Sequence, residues 1–338
     1  MKRVYIIILN WNGWRDTIEC LESVFRLDYP EFRVVVCDND SKDGSIEYIR
    51  AWADGRLDAY VPVLHPLREL SFPPVFKPLD VVEYERSKAE IGGDEDEAAR
   101  LILIRTGANQ GFAAGNNVGL RYVLAKGEFD YVWLVNNDTV VKPDSLSWMV
   151  KRMKERPNAG MCGALLPFYD MPHNIWAAGG GTLNSWLGKT GIIDYGKFVS
   201  EVSSREDIEA RIDYLAGASM LVSADFLRVV GLMSEEYFLY FEELDWYIRG
   251  RRRYSLAYAD KAIVYHKVGN STGIWNDVSS KIIEKFCLRS QLRFMVKFFP
   301  YALPLVLIRI AKNHLKLTCL RLIHAVLKSV NELASRLK

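Results

Sequence analysis

The chain has 338 residues, of which 49% are hydrophobic and 25% are charged, and its formal net charge is +2. This composition is typical of a globular protein with a large core, and the length allows one large domain or two smaller ones. A charge so close to neutral argues against nucleic-acid binding, because phosphate binders usually carry a marked basic excess or a basic stripe.

The five cysteines are odd in number and widely scattered, and they include no Cys-x-x-Cys pair. The sequence therefore predicts neither a disulfide framework nor a structural zinc site. The apolar run at Val4–Leu9 is too short for the apolar core of a signal peptide. We therefore expect a cytoplasmic protein in a reducing compartment.

Apolar runs and helical periodicity alternate along the first 160 residues. Val4–Leu9 is typical of a buried strand, and Trp14, Ile18, Leu21 and Phe25 follow it at helical spacing. Further strands are predicted at 33–37, 101–104 and 131–135, and further helices around 46–53, 113–124 and 144–155. The alternation predicts an α/β fold with a mostly parallel sheet between helices, in which ligands bind at the carboxyl ends of the strands.

Polar residues follow three of these strands directly. The segments are Asn10-Trp11-Asn12-Gly13, Asp38-Asn39-Asp40-Ser41 and Asn136-Asn137-Asp138-Thr139. Turn formation alone is the alternative explanation, but a turn does not require an acid at the tip of two strands. We expect these residues to line one site.

Six motifs follow one another along the chain and are spread over most of residues 1–275. They are Ile8–Gly13, Cys37–Ser45, Asn109–Asn117, Leu134–Thr139, Phe241–Asp245, and His266 with Ser271-Thr272. This series resembles the inverting glycosyltransferases of family 2, which have the GT-A fold, and in particular the branch that contains rhamnosyltransferases and galactofuranosyltransferases. The resemblance implies a GT-A (Rossmann-like) catalytic domain over 1–275, followed by a basic amphipathic helical region over 276–338.

The resemblance places a nucleotide beside Asp38 and Asn39, with Asn10 and Asn12 on the neighbouring strand. A carboxylate at Asp38 can accept the imide N–H of uracil or thymine, which cytosine lacks at that ring nitrogen. UDP-sugar or dTDP-sugar donors are therefore favoured over CDP-sugars.

Glycine recurs every fourth residue from Gly107 to Gly119. On a helix, Gly115 and Gly119 would lie on one face and allow a ligand or another backbone to approach, while the helix start after Gly111 would offer N–H groups to an anion. Tight helix packing without a ligand is the alternative. The remaining residues predicted to contact the donor are Asn109, Asn116, Asn136, Asn137 and Gly217.

Asp138 is the principal predicted ligand for Mg²⁺ or Mn²⁺. The family usually has Asp-x-Asp here, whereas this chain has Asn136 at the first position, which predicts weaker binding of the free metal. His266 resembles the second metal ligand of the family, although a structural histidine is the alternative. An imidazole ligand would favour Mn²⁺.

An acidic cluster follows the aromatic run at 237–241. Inversion requires one carboxylate to take the proton of the acceptor hydroxyl. The resemblance implies Glu243 as that base, with Asp245 as the fallback and Glu242 adjacent. The family usually has Asp at the position of Glu243, and acids at a helix N-terminus are the structural alternative.

Two further segments are predicted to lie near the substrates. Trp176 with Gly179–Gly181 is interpreted as a loop over the site, and a core position for Trp176 is the alternative. The segment Asp213–Met220 resembles the part of the family that lies beside the donor sugar and acceptor.

Two regions depart from the family core. Residues 56–100 are rich in proline and contain the acidic run at 94–97, so we interpret them as a surface insertion or a partly disordered loop. The tail from about residue 286 mixes apolar residues with Lys and Arg, and Pro300 and Pro304 interrupt it before a membrane-spanning length is reached. It is expected to associate with an anionic membrane surface at the inner face of the cell membrane. Packing on the catalytic domain or on a second subunit of a homodimer is the alternative.

The resulting hypothesis is an inverting transfer of a sugar, with rhamnose favoured, from a dTDP-sugar or UDP-sugar to a glycan or lipid-linked acceptor during surface polysaccharide synthesis. A sugar nucleotidyltransferase and a non-catalytic nucleotide-sugar sensor or scaffold are the rival interpretations. The former would need a basic glycine-rich loop after the first strand, where this chain has Asn12-Gly13-Trp14.

Overall fold

The computed structural model of the protein describes residues 2–94, 99–268 and 277–312. Ser271 and Thr272 of the last motif, most of the acidic run at 94–97 and the tail beyond 312 lie outside these residues. The chain divides into two compact units. The first comprises Met1–Thr182 and Gly191–Ser290, and the second comprises Leu183–Thr190 with the residues from Gln291 onward. The domain boundary near residue 276 stays a prediction.

Strands and helices alternate over the described residues up to 136, and beyond them several strands follow one another directly. The strands are β1 Val4–Asn10, β2 Phe32–Asp38, β3 Val81–Glu85, β4 Leu101–Arg105, β5 Tyr131–Asn136, β6 Thr139–Val141, β7 Ala159–Pro167, β8 Ile175–Ala178, β9 Gly180–Asn184, β10 Lys189–Ile192, β11 Tyr214–Leu215, β12 Ser219–Ser223 and β13 Ser255–His266. The helices are α1 Trp14–Val24, α2 Ser45–Ala53, α3 Arg86–Ala89, α4 Phe112–Lys126, α5 Ser145–Glu155, α6 Arg205–Arg211, α7 Ala224–Val230, α8 Glu242–Gly250 and α9 Asp277–Phe298.

The main sheet has the strand order β3-β4-β2-β1-β5-β12-β7-β13-β6, with β8 added beside β7. The run from β3 to β5 is parallel, while β12 is antiparallel to both of its neighbours. Alternate residues of β1 enter opposite cores, with Ile6 packed on the side of α1 and Ile7 on the side of α4. The predicted α/β fold, with a mostly parallel sheet flanked by helices, is therefore confirmed.

The described part of the 56–100 insertion forms strand β3 and helix α3, neither of which the sequence pattern predicted. A buried carboxylate ties the preceding residues to α1. Glu22 is fully buried and accepts hydrogen bonds from Trp52 Nε1 at 2.8 Å, Val75 N at 2.8 Å and Lys77 Nζ at 2.7 Å. Because an unpaired buried charge is strongly destabilising, these contacts hold the insertion against α1.

The segment interpreted as a loop over the site is a pair of strands, and that prediction is wrong. Trp176 lies in β8, which pairs with β7, and Gly180 and Gly181 begin β9. A Cβ on Gly180 would lie 1.9 Å from Tyr214 O, so these glycines permit close strand pairing and do not provide a hinge.

Within the part of the chain that the structure describes, no single helix has the length and apolar character needed to cross a membrane. The segments Ile282–Phe298 and Pro300–Lys312 meet this criterion only when taken together, and a bend of 120° separates them.

Candidate active site

The sheet register brings the predicted strand-end residues to one edge. Asn10 stands beside Asp38 across the β1–β2 pair, and Asn136 stands beside Leu9 across the β1–β5 pair. The carboxyl ends of these three parallel strands therefore meet at the place where an α/β sheet binds its ligands.

Asn10 is buried, and its side chain is occupied by other protein groups. Its Nδ2 donates to Asp38 Oδ1 at 2.7 Å, and its Oδ1 accepts from Thr17 Oγ1 at 2.8 Å. Asn137 Nδ2 donates to the same Thr17 hydroxyl at 3.1 Å. Asn10 and Asn137 therefore position Asp38 and the loop ends, and their predicted direct contact with the donor remains a prediction.

The Asp38 carboxylate can accept hydrogen bonds beyond those that the protein supplies. One of its oxygens accepts from Asn10 and the other accepts from Ser41 N at 3.1 Å, and each carboxylate oxygen can accept a second hydrogen bond. Ser41, which sequence reasoning did not single out, also accepts from Asn12 N at 2.9 Å. Asn12 is exposed, has φ of 50° and accepts from Lys42 N through its Oδ1. The loops after β1 and β2 are thus joined beside Asp38.

A second hydrogen-bond network joins the loop after β2 to the start of α4. Asn39 Nδ2 donates to Asn109 Oδ1 at 2.9 Å, and the same oxygen accepts from Gly111 N at 3.0 Å. Phe112 N donates to Phe238 O at 2.9 Å. The N–H groups of Gly111 and Phe112 are therefore engaged by the protein, and the predicted contact of an anion with the start of α4 stays a prediction.

The glycines of α4 serve helix packing. A Cβ on Gly115 would lie 2.5 Å from Leu9 Cδ1, and one on Gly119 would lie 2.9 Å from Cys37 Sγ. These glycines let α4 lie close on β1 and β2, which is the alternative that the sequence left open. Asn116 donates from Nδ2 to Phe112 O at 3.0 Å within the same helix. Donor contacts by Gly115 and Asn116 stay predictions.

Asp138 and His266 face each other in a buried position. The β13–β6 register sets His266 opposite Thr139, and Lys267 N donates to Asp138 O at 2.9 Å. The His266 Nε2 atom lies 3.2 Å from Asp138 Oδ1, and the indole of Trp176 packs edge-on to the imidazole, with ring centroids 4.4 Å apart. The two predicted metal ligands are therefore adjacent.

The donor set at this position fits a divalent cation that takes its other ligands from substrate and water. A carboxylate oxygen and an imidazole nitrogen converge, and the half-buried Asn136 offers a neutral carbonyl two residues away. The described residues contain no group of three or more His, Cys, Asp or Glu side chains arranged for a metal. Such a two-ligand site suits a metal that arrives with a diphosphate.

The acidic pair at the start of α8 follows a strained turn. Tyr240 and Phe241 both have positive φ, at 66° and 72°, a conformation that costs a non-glycine residue about 1–2 kcal/mol. The turn directs the Glu243 carboxylate over Gly217, where a Cβ would lie only 2.3 Å from Glu243 Oε1. Strain of this kind persists where the surrounding structure imposes it, often at functional sites.

The two glutamates differ in their electrostatics. Burial raises the pKa of Glu243 to about 7. Burial, followed by the charge of Glu243, raises the pKa of Glu242 well above its ordinary value, and Glu242 Oε2 is buried without a hydrogen-bond partner among the described residues. Burial thus favours the protonated form of both carboxyls, and at Glu242 the charge of Glu243 adds to this effect.

Asp245 holds α8 against the aromatic turn. It is fully buried, its Oδ1 accepts from Arg249 Nε at 2.7 Å, and its Oδ2 accepts from the Tyr237 hydroxyl at 3.0 Å. These contacts give Asp245 a structural role, and its role as the fallback base stays a prediction.

Sequence reasoning missed a buried ion cluster beside His266. Lys267 Nζ donates to Asp16 Oδ1 and Glu19 Oε2, both at 2.6 Å, and Tyr169 OH donates to Glu19 Oε1 at 2.6 Å. The cluster fixes the end of β13 against α1. Because its members come from three distant segments, no local pattern signalled it.

Comparison with known proteins supports this fold. The model of glycosyl transferase family 2 matches residues 5–65 and 87–199, just over half of the chain. A hexosyltransferase of low-salt glycan biosynthesis, Agl10 of Haloferax volcanii, is 24% identical over 152 residues, which are 45% of this chain and 47% of Agl10. The chain therefore matches about half the length of that relative.

Two solved structures share the architecture. The mannosyltransferase PcManGT of Pyrobaculum calidifontis, in complex with GDP-Man and Mn²⁺, is 15% identical, and the match covers 96% of this chain and 80% of that one with a TM-score of 0.50. GalNAc-T7 with UDP, GalNAc and Mn²⁺ is 12% identical, and the match covers 79% of this chain and 44% of that one with a TM-score of 0.52. The fold is GT-A, and the chain belongs to glycosyl transferase family 2.

Proposed function

We propose that this protein is an inverting glycosyltransferase that moves a hexose from a nucleotide diphosphate carrier to an acceptor hydroxyl. One observation carries the proposal, namely that the segments of the suggested base and of the suggested metal ligands are joined directly. Asn136 N donates to Ala218 O at 3.1 Å, and the adjacent Gly217 lies under the Glu243 carboxylate. Asp138 is two residues beyond Asn136, which supports a base and a diphosphate-metal site on neighbouring segments.

The proposed donor is a dTDP-sugar or a UDP-sugar, with rhamnose favoured. Asp38 supports a base with an imide N–H, because its oxygens keep free acceptor positions at the end of β2. The two similar solved structures contain GDP-Man or UDP. Guanine also carries a ring N–H, so a GDP-sugar belongs in the same test.

In the proposed reaction Glu243 removes the proton of the acceptor hydroxyl. The acceptor oxygen bonds to the anomeric carbon, while the bond from that carbon to the diphosphate oxygen breaks and leaves its electron pair on the diphosphate. Because attack and departure occur on opposite faces, the anomeric configuration inverts. The pKa of Glu243, raised by burial to about 7, makes it a base suited to neutral pH.

Asp138 and His266 are the residues that would hold a Mg²⁺ or Mn²⁺ ion. When bound, such an ion supplies positive charge that stabilises a departing diphosphate. Both similar solved structures contain Mn²⁺. Imidazole in the ligand set favours Mn²⁺ over Mg²⁺.

The proposed acceptor is a glycan or a lipid-linked sugar of a surface polysaccharide. Its proposed location is the cytoplasmic face of the cell membrane, where the basic C-terminal region would contact anionic headgroups. The hexosyltransferase relative, whose name assigns it to glycan biosynthesis, supports this class of acceptor.

A transfer assay tests the proposal. Radiolabelled UDP-, dTDP- and GDP-sugars are incubated with the protein, Mn²⁺ and a lipid extract as acceptor, and labelled product is separated from donor. We expect one donor to be consumed by the wild type, and the Glu243→Gln variant to lose transfer by about 10²–10⁴-fold while it still binds the nucleotide. Transfer that continues unchanged in Glu243→Gln would exclude this residue as the base. Nucleotide binding without transfer from any donor would favour the non-catalytic sensor.

A further inference from the structure

The second compact unit joins a hairpin tip to the C-terminal helices. Gln291 donates from Nε2 to the carbonyl of Gly188, 103 residues away in sequence. The ring of Trp186 stands edge-on to Tyr301, with centroids 5.1 Å apart. A Cβ on Gly188 would lie 3.0 Å from Met295 Sδ, so the turn between β9 and β10 is seated directly on the helices.

This unit exposes large apolar side chains even though it has a filled interior. Phe294, Met295 and Val306 are fully buried. The exposed members are Trp186, Leu187, Val296, Tyr301, Leu305, Leu307 and Ile308, each between 38% and 58% exposed. So many exposed apolar residues in a unit this small indicate a surface that meets an apolar partner.

The charge of the unit identifies the chemistry of that partner. Residues 183–190 and 291–312 carry Lys189, Arg293, Lys297, Arg309 and Lys312, and they contain no Asp or Glu. Protein interfaces are depleted in lysine, whereas surfaces that bind anionic lipid combine Lys and Arg with Trp and Leu. The combination favours a membrane over a protein partner.

The helix geometry determines how such a surface would meet a membrane. The 120° bend between Ile282–Phe298 and Pro300–Lys312 prevents the pair from forming one straight span. A bent apolar and basic pair suits a position in the plane of the interface, where tryptophan and tyrosine prefer the headgroup level.

We infer that the hairpin tip Asn184–Gly188 and the two C-terminal helical segments form one monotopic docking surface for a bilayer with anionic headgroups. Trp186 and Leu187 enter the interface, and the cations contact lipid phosphates. The inference rests on the proposed membrane association and adds to it the hairpin tip, a segment outside the C-terminal region.

Vesicle co-sedimentation of the full chain tests the inference. The vesicles are phosphatidylcholine with about one third phosphatidylglycerol, which supplies the anionic surface. The test variant is Trp186→Ser/Leu187→Ser. The matched control is Leu64→Ser/Phe76→Ser, because those side chains are 94% and 91% exposed and lie in the first unit. Thermal unfolding and nucleotide binding are measured on every protein to separate docking from folding and from the transferase site.

We expect the tip variant to lose at least about tenfold in vesicle affinity, while the control keeps the affinity of the wild type. Equal sedimentation of the tip variant and wild type would overturn the role of the hairpin and leave membrane association standing. If the wild type binds nucleotide but no vesicles, both the role of the hairpin and the membrane association are overturned, and the proposed sugar transfer is unaffected. The wild type could also be a dimer in the absence of vesicles while the tip variant is a monomer. That result would overturn the inference and identify the surface as a subunit interface.

Discussion

Replacing Glu243 by Gln removes a titrating group whose pKa differs between the folded and unfolded chain. Burial raises that pKa from 4.5 to about 7 in the folded protein. Between these values the folded state binds more protons than the unfolded state, so the wild type loses stability as pH rises from 4.5 through about 7. The Gln variant has no such group and does not share this part of the loss.

The magnitude follows from the pKa change. Each pKa unit corresponds to about 1.4 kcal/mol, so the rise from 4.5 to about 7 sets an upper limit of about 3.5 kcal/mol on the change in stability. Because Glu243 is partly exposed and solvent screening weakens the effect, we expect a change in the free energy of unfolding of about 2 kcal/mol. The stability of Glu243→Gln relative to the wild type should therefore increase by about 2 kcal/mol between pH 5 and pH 8.

Urea unfolding of both proteins at pH 5 and pH 8 measures this difference without substrate. Glu47→Gln is the control, because a backbone hydrogen bond lowers the pKa of Glu47 below 4.5 and its carboxyl is then largely ionised in the folded and the unfolded chain at both pH values. The stability difference between wild type and Glu47→Gln should therefore be nearly the same at pH 5 and pH 8. A difference between wild type and Glu243→Gln that is the same at both pH values would refute the electrostatic argument for Glu243.

Three further predictions concern other parts of the molecule. Asp138→Asn and His266→Ala should each weaken nucleotide binding in Mn²⁺ by at least about tenfold and leave metal-free binding unchanged, as measured by calorimetry. Gly217→Ala places a Cβ 2.3 Å from Glu243 Oε1, so kcat should fall by about 100-fold while the melting temperature changes little, because the end of a flexible side chain can move. Glu22→Ala removes the carboxylate that lies 2.7 Å from the buried Lys77 ammonium and leaves that ammonium with the mostly exposed Asp58 carboxylate at 3.6 Å. The free energy of unfolding in urea titrations should fall by about 3–5 kcal/mol, whereas an unchanged stability would contradict the anchoring of the insertion.

The sequence was sufficient for the parallel strands β1, β2, β4 and β5 and for the edge of the sheet at which the candidate site lies. Continuous apolar runs such as Val4–Asn10 identify strands buried on both faces, and the polar residues that follow them mark the carboxyl ends. The family resemblance also implied that Asp138 and His266 lie close together. The pairing of β13 with β6 brings them into contact.

The sequence could not predict which polar residues are available to a ligand and which hold a loop in place, because this depends on contacts between distant segments. Asn10 and Asn137 are joined through Thr17, and Gly111 is approached by the Phe238 carbonyl. Composition and spacing do not distinguish an amide that binds a ligand from one that holds a loop. The same holds for Lys267, whose carboxylate partner Glu19 lies 248 residues earlier.

We propose that a nucleotide diphosphate and a divalent metal bind together at the ends of β2 and β5. Calorimetric titration of the wild type and Asp138→Asn with UDP and dTDP, each with and without Mn²⁺, measures this binding. We expect at least one nucleotide to bind the wild type in a metal-dependent manner, and Asp138→Asn to lose the metal-dependent part. Binding of neither nucleotide, or equal binding by Asp138→Asn with Mn²⁺, would contradict it.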